Sequence, residues 1–164
     1  MRVPRSAPKP VKPLWKPHVI PPDFVLVIDT REQNPLFTKP PKGLPIIRDT
    51  LTHGDYCIQG FEDYVFIERK VAGQDFCSYI GKEHERTKAK LEAITLFDVR
   101  HLVIEGDPYD TGMYSQLTHE HVRGFLNACR VKYGIHTFWS KDRAEIERYV
   151  LDTLLVYFNH LRKP

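Results

Sequence analysis

The sequence lacks the features of membrane, secreted and disulfide-rich proteins. Its 164 residues contain no apolar run near the ~20 residues that a membrane-spanning helix needs, and no continuous apolar stretch typical of a secretory signal. Only three cysteines are present, Cys57, Cys77 and Cys129, and they form no Cys-x-x-Cys pair, which favours neither a disulfide framework nor a structural zinc site. We therefore expect a soluble, cytoplasmic protein with reduced, mostly buried thiols.

Positive charge is scarce over most of the chain. The formal net charge is +3, but the first 22 residues contain five basic residues and no acidic one. Subtracting these five from the 24 basic residues leaves 19 against 21 acidic residues, a net charge of −2. Any nucleic acid must therefore be held by local basic patches, with or without help from the N-terminal segment, rather than by a uniformly positive surface.

Proline is concentrated at the N-terminus. Residues 1–22 carry seven of the 13 prolines, which prevent both helix propagation and strand pairing, so we predict an extended tail there. Composition leaves two roles equally open for this tail: an electrostatic arm for DNA, or a solubilising or partner-docking extension. Residues 23–164, within a chain that is 41% apolar, are enough for one domain with a single packed core.

The apolar pattern predicts a mixed sheet flanked by helices. An early group of strands, interpreted as a meander, is followed by alternating helices and strands, which is typical of an α/β fold. Gly81 is expected to separate two helical pieces, Thr118 and Gly134 to bound a third helix, and Asp142 to start a final amphipathic helix. The predicted strands are Phe24–Ile28, Ile46–Leu51, Tyr56–Gln59, Tyr64–Glu68, His101–Ile104 and Ile135–Trp139.

The sequence pattern that suggests chemistry is Asp55, twelve further residues, and then Glu68-Arg69-Lys70. On a strand the side-chain period is two, so Glu68 and Lys70 share one face, while Arg69 faces away. A hairpin that brings Asp55 beside Glu68 would gather two carboxylates at a spacing suited to a hard divalent cation. Phosphodiester hydrolysis needs such a cation to polarise the phosphate and activate water.

Other charged residues fit the same chemistry. Asp29 and Glu32, at the end of the first strand, would add carboxylates and room for a second metal ion. Lys70 would position or help deprotonate the attacking water, or stabilise charge on the phosphate. Arg31 and Arg69 are suited either to gripping a phosphate or to holding the acids in place.

Each piece of this pattern also has an ordinary structural explanation. Asp55 fits a simple turn residue, and Glu68 with Lys70 fits a solvated cross-strand face. The helical segment carrying Lys82, His84, Arg86, Lys88 and Lys90 fits either DNA backbone contact or a solvated helix face. The ordered combination of motifs, rather than any one of them, favours a nuclease.

The same motifs resemble a known family. Ile28-Asp29-Thr30-Arg31-Glu32, Gly54-Asp55-Tyr56 and Ile67-Glu68-Arg69-Lys70 are similar to the nuclease domain of the XPF-type structure-specific endonucleases, with archaeal Hef nucleases nearest in look. The likeness continues through Leu102-Val103-Ile104-Glu105-Gly106, Val122-Arg123-Gly124 and Tyr133-Gly134-Ile135, and spans roughly residues 24 to 161.

The resemblance implies a three-layer α/β/α restriction-endonuclease-like fold and a DNA endonuclease that depends on Mg²⁺ or Mn²⁺ and cuts branched or flap DNA. It implies four catalytic residues, Asp55, Glu68, Arg69 and Lys70, and a metal-binding set of Asp29, Glu32, Asp55 and Glu68. The residues expected to bind DNA are Arg31, Arg86 and Lys88. It also implies a homodimer through the C-terminal helices, although the final helix could simply cover the sheet.

The sequence departs from the family pattern at two points, and two functions other than cleavage of branched DNA remain open. The family's Asp four positions after the Lys is Gln74 here, with Asp75 one position later. The family's helix-hairpin-helix module is not expected within 164 residues, which weakens any inherited junction preference. One rival is a catalytically silent DNA-binding or dimerisation scaffold; the other is a nuclease for linear ends or RNA. By analogy the setting is a bacterial, archaeal or virus-infected cell.

Overall fold

The computed structural model of the chain describes residues 19–112 and 116–162. Most of the predicted N-terminal tail, including all five of its basic residues, lies outside these ranges. Within them, the chain forms six strands and four helices. Their bounds in chain order are β1 Leu26–Asp29, β2 Ile46–Asp49, β3 Tyr56–Ile58, β4 Val65–Val71, α1 Gln74–Ile80, α2 His84–Ala93, β5 Val99–Glu105, α3 His119–Lys132, β6 His136–Ser140 and α4 Arg143–Leu161.

The strands form one mixed sheet in the order β2-β1-β3-β4-β5-β6. The predicted hairpin is confirmed, because β3 and β4 pair antiparallel with Tyr56 opposite Ile67. The predicted meander is wrong: β2 pairs in parallel with β1 at the sheet edge, and β1 pairs antiparallel with β3. The segment between β1 and β2 is therefore a crossover, which is required to return the chain in the same direction.

Helices cover both faces of the sheet, giving the three layers predicted. On one face α4 packs through Ile146, Val150 and Leu154 against residues of β1, β3, β4 and β5. On the other face α1, α2 and α3 pack through Phe76, Leu91 and Val122 against a second cluster that includes Phe66 and Leu102. Because Phe66 and Ile67 belong to different clusters, β4 presents alternate side chains to the two helical layers.

Most of the predicted helix ends agree with the structure. Gly81 ends α1, Thr118 caps α3, and Gly134 follows its end with φ 62°. The Asp142 side chain accepts the Ala144 N–H at the start of α4.

Strand ends agree less well, and β4 continues to Val71 rather than ending at Glu68, because it pairs with β5 through the pair Val71 and Glu105. Lys70 therefore lies inside a strand.

The three cysteines are free and buried, as predicted. In the described part of the chain, no helix combines the length and apolar character needed to cross a membrane.

Candidate active site

The turn before β3 places Asp55 against β4. Its backbone N–H donates to the Ile67 carbonyl at 2.8 Å, and its carbonyl accepts the Asp29 N–H at 2.9 Å. Gly54 makes this approach possible: its φ is +79°, and a Cβ there would lie 2.9 Å from the Ile67 carbonyl oxygen. The Asp55 carboxylate accepts the Arg69 backbone N–H at 2.7 Å, which fixes it beside β4.

Glu68 lies at the centre of the site and is almost fully buried, with 2% of its side chain exposed. It projects toward α1 and α2, on the same side of β4 as Lys70. The Lys70 Nζ lies 2.9 Å from Glu68 Oε1. A second ammonium comes from α2, where Lys90 Nζ donates to Oε1 at 3.0 Å and to Oε2 at 3.1 Å.

An aromatic ring lies beneath both lysines. The Tyr79 ring centroid is 4.8 Å from Lys70 Nζ and 5.9 Å from Lys90 Nζ. A cation over an aromatic face is attracted to it, and the attraction grows as solvent is excluded. The ring of Tyr79 therefore helps to hold both ammonium groups over Glu68.

Arg69 projects to the opposite face of the sheet. Its guanidinium is buried, bonds Glu105 and lies 3.4 Å from Glu32 Oε2. Arg143, in the first turn of α4, also contacts Glu105 at 3.3 Å. Arg69 thus holds acidic groups in place, which is one of the two roles expected for it.

Asp29 has its oxygen atoms engaged by four N–H donors. Arg31 donates its backbone N–H and Nε to Oδ1 at 2.7 and 2.8 Å, and its NH2 to Oδ2 at 2.9 Å. The Leu51 N–H adds a fourth bond at 2.8 Å. Burial alone would raise the pKa of Asp29, but these bonds outweigh it and lower the pKa. Arg31 leaves 65% of its side chain exposed beside the site.

The pKa values of Asp55 and Lys70 are also shifted by their surroundings. Burial, followed by repulsion from Glu68, raises the pKa of Asp55 to about 7. Burial would lower the pKa of Lys70, but the adjacent Glu68 carboxylate outweighs this and raises it. Lys70 therefore stays protonated at neutral pH, which favours charge stabilisation over the alternative role of proton acceptor.

The residues present fit a hard divalent cation, because the carboxylates Asp55 and Glu68 line the same cavity. Across residues 19–112 and 116–162, no group of three or more His, Cys, Asp and Glu side chains is arranged to hold a metal ion. The expected four-residue metal set is thus not assembled as one cluster, because Arg31 engages Asp29 and Arg69 lies beside Glu32. Asp55 and Glu68 remain, and Mg²⁺ is commonly held by one or two carboxylates together with water and substrate phosphate.

The site opens into a cavity of about 700 Å³ whose rim carries basic residues. Arg31 and Arg86 line it, whereas Lys88, although exposed on α2, does not. Asp75 also lines the cavity, and its carboxylate accepts the Val71 N–H at 2.8 Å, joining the start of α1 to the end of β4.

Lys90 and Tyr79 were not among the predicted site residues. In the sequence, Lys90 is only one of several charged residues on this helical segment. One signal was available: Lys90 follows Arg86 by four residues and therefore shares its helix face. Nothing in the local sequence identifies Tyr79, which reads as an ordinary buried aromatic.

The fold and the site together define the class of protein: a three-layer α/β domain with paired carboxylates and a lysine at the end of a central hairpin. The model of the ERCC4 domain family matches residues 28–152. The chain belongs to this family, and the resemblance to XPF-type nuclease domains is thereby confirmed. No match was found among curated proteins.

Solved structures support the fold assignment. The structure titled "XPF from Aeropyrum pernix, complex with DNA" is similar with a TM-score of 0.63 and 18% identity, covering 83% of this chain and 66% of that one. A second structure, "XPF from Aeropyrum pernix", gives a TM-score of 0.59 and 21% identity, covering 84% of this chain and 68% of that one. At these identities the likeness confirms the restriction-endonuclease-like fold.

Proposed function

We propose that this domain is a divalent-metal-dependent DNA endonuclease that hydrolyses phosphodiester bonds, with branched or flap DNA as the preferred substrate. One observation carries the proposal: Asp55, Glu68 and Lys70 converge on a single open cavity with a basic rim. Membership of the ERCC4 domain family supports the same reaction class.

Each residue of the site has a different proposed role. Asp55 and Glu68 would hold a Mg²⁺ or Mn²⁺ ion, which supplies polarisation of the phosphate and activation of water when bound. Lys70, kept protonated by Glu68, stabilises negative charge that develops on the phosphate. Arg69 positions Asp55 through its backbone N–H, and Asp29 orients Arg31. We propose no direct ligand role for Asp29 or Glu32.

DNA is the proposed partner because the basic rim suits a phosphate backbone. Arg31 and Arg86 extend exposed guanidinium groups beside the cavity, and charged N–H donors of this kind form strong hydrogen bonds to phosphate oxygens. Lys88 would contact more distant phosphates of the same backbone. One of the similar structures is titled as a complex with DNA, which supports the choice of DNA over RNA. Branched DNA arises during repair and recombination, the setting that we propose.

The test is a substrate panel with a matched pair of variants. Labelled flap, fork, duplex, single-stranded DNA and RNA are incubated with Mg²⁺, Mn²⁺ or EDTA. We expect metal-dependent cleavage of flap or fork DNA, and a loss of about 10²-fold or more for Glu68→Gln, which removes a charge without changing volume. The control is Glu92→Gln, an exposed glutamate on α2 outside the cavity.

The rival scaffold function predicts a different outcome. A silent relative would bind the same substrates in EDTA, measured by fluorescence anisotropy, and yield no product with either metal. Preferred cleavage of linear ends or RNA would instead favour the second rival.

The C-terminal helix also supports the expected homodimer. An apolar groove of about 500 Å³ lies along α4 and β5, lined in part by Val99, Tyr149 and Val156. Exposed apolar grooves of this kind are common at protein interfaces. We propose that a second copy of the chain binds at this groove. Sedimentation equilibrium, which measures the mass of the particle in solution, tests for the dimer.

A further inference from the structure

Two ammonium groups, rather than one, neutralise Glu68. Lys70 contacts one carboxylate oxygen, while Lys90 contacts both, at 3.0 and 3.1 Å. Lys90 reaches across from a helix, and 28% of its side chain remains exposed to the cavity. Lys90 is therefore bonded to the central carboxylate and also lines the cavity in which a substrate phosphate would bind.

The charges of the site add up in a way that limits the number of metal ions. Asp55 and Glu68 contribute two negative charges, and Lys70 with Lys90 contributes two positive ones. One divalent cation then brings the net charge to +2, which matches a phosphodiester in its doubly negative transition state. A second divalent cation would bring the net charge to +4, and the Asp29 oxygens are already engaged by Arg31 and Leu51.

We propose that Lys90 is a positioning residue that takes, at Glu68, the place of a second divalent cation, so that the site works with a single ion. The inference rests on the proposed function and deepens it. The Lys90 ammonium shares Glu68 with the ion, limits how tightly that carboxylate can bind it, and presents a positive charge to the phosphate.

The Tyr79 ring helps to fix the position of the Lys90 ammonium group beside Glu68. Both ammonium groups lie over the ring, so Lys90 cannot swing away from Glu68 without losing a second favourable contact. Lys132 offers a matched comparison on another helix: its Nζ lies 5.2 Å from the Tyr133 ring centroid. It lies on α3, whose residues do not line the cavity. A lysine over a tyrosine is thus present in both places, but only one belongs to the site.

The experiment is a Mn²⁺ titration of the full chain without DNA, by calorimetry and electron paramagnetic resonance. For the unsubstituted protein we expect one bound ion, lost in Glu68→Gln. Lys90→Met keeps the length of the side chain but removes the charge, so Mn²⁺ should bind roughly tenfold more tightly, or a second ion should appear. Cleavage of flap DNA should nevertheless fall. Lys132→Met should change neither quantity.

Lys90→Arg provides a second test of the role of Lys90 if the methionine variant unfolds. Arginine retains the charge on Glu68, so the Mn²⁺ affinity should stay at or below that of the unsubstituted protein. Unchanged affinity and stoichiometry in a folded Lys90→Met protein would overturn the role of Lys90, while Glu68-dependent cleavage still stood. Absence of both Mn²⁺ binding and cleavage in the unsubstituted chain would instead overturn the proposed function, and this inference with it.

Discussion

The Asp55 carboxyl group is held where ionisation is unfavourable unless a cation is bound. Burial and the neighbouring Glu68 raise its pKa to about 7, compared with 3.8 for a free side chain. A group whose pKa is raised by folding favours the folded state at low pH and loses that contribution as the pH rises through the higher value. Above pH 7, therefore, ionised Asp55 destabilises the protein.

Asp55→Asn should relieve this cost while removing a ligand. The asparagine oxygen can still accept the Arg69 N–H, so we expect stability at pH 8 to rise by about 1 kcal/mol after allowing for solvent screening. The gain should vanish below pH 4, and cation binding should be lost. Thermal unfolding in EDTA at several pH values measures the gain, with the exposed Asp63→Asn as the control. A variant less stable than its parent at pH 8 would contradict the assigned pKa shift.

At the residue scale, the sequence was sufficient where one strand determined the geometry. Glu68 and Lys70 share a face because of the two-residue period of β4, and this was predicted from spacing alone. Lys90 was not predicted as a site residue, because its position depends on how α2 packs across the sheet. That orientation comes from the tertiary contact of Leu91 with the second core, and no local pattern reports it.

The turn between β2 and β3 is the element that joins fold and site. Gly54 has a positive φ and lies against the β4 backbone, so its missing side chain allows Asp55 to approach Glu68. Gly60, in the next turn, has a similar φ of +85° but no atom within 4 Å of a Cβ built on it. A substitution at Gly60 therefore tests the cost of the backbone conformation alone, whereas one at Gly54 adds the cost of a steric clash with β4.

Gly54→Ala should cost more than Gly60→Ala. Both substitutions should lower the free energy of unfolding by about 1 kcal/mol, because alanine is unfavourable in a left-handed conformation. Gly54→Ala should also push the turn away from Ile67, which brings its total destabilisation to about 2–3 kcal/mol. Urea unfolding measures the difference. Because Asp55 moves with the turn, Gly54→Ala should also weaken Mn²⁺ binding, and Gly60→Ala should not. Equal destabilisation by both would show that the contact with β4 is unimportant.

Among the elements, those with local signals were predicted and the crossover was not. The β3–β4 hairpin and the starts of α3 and α4 carry turn and capping residues in the sequence itself. The parallel pairing of β1 with β2 depends on a long loop, residues 30–45, that contains prolines but no signal for strand direction. From the sequence alone, β2 is therefore predicted to belong to a meander, which is not the observed pairing.

At the scale of the whole molecule, charge is divided between the tail and the domain. Residues 1–18 hold all five basic residues of the tail, and the remainder of the chain has a net charge of −2. The domain therefore relies on a few basic groups around the cavity, such as Arg31 and Arg86, to attract a polyanion. A basic segment attached to such a domain would add sequence-independent attraction to DNA phosphates.

Replacing the five basic residues of the tail by Gln tests whether it is an electrostatic arm, because this keeps the length and the prolines unchanged. We expect weaker binding to flap DNA at low salt, and a plot of log affinity against log salt that is shallower by about 2–4, since each phosphate neutralised contributes about 0.9. Cleavage at saturating DNA should stay unchanged, because none of the residues proposed to hold the ion or act on the phosphate belongs to the tail. Removal of residues 1–18 should give the same slope. If the neutral tail left the slope unaltered, the solubilising or partner-docking alternative would stand instead, and the basic rim of the cavity alone would account for attraction to DNA.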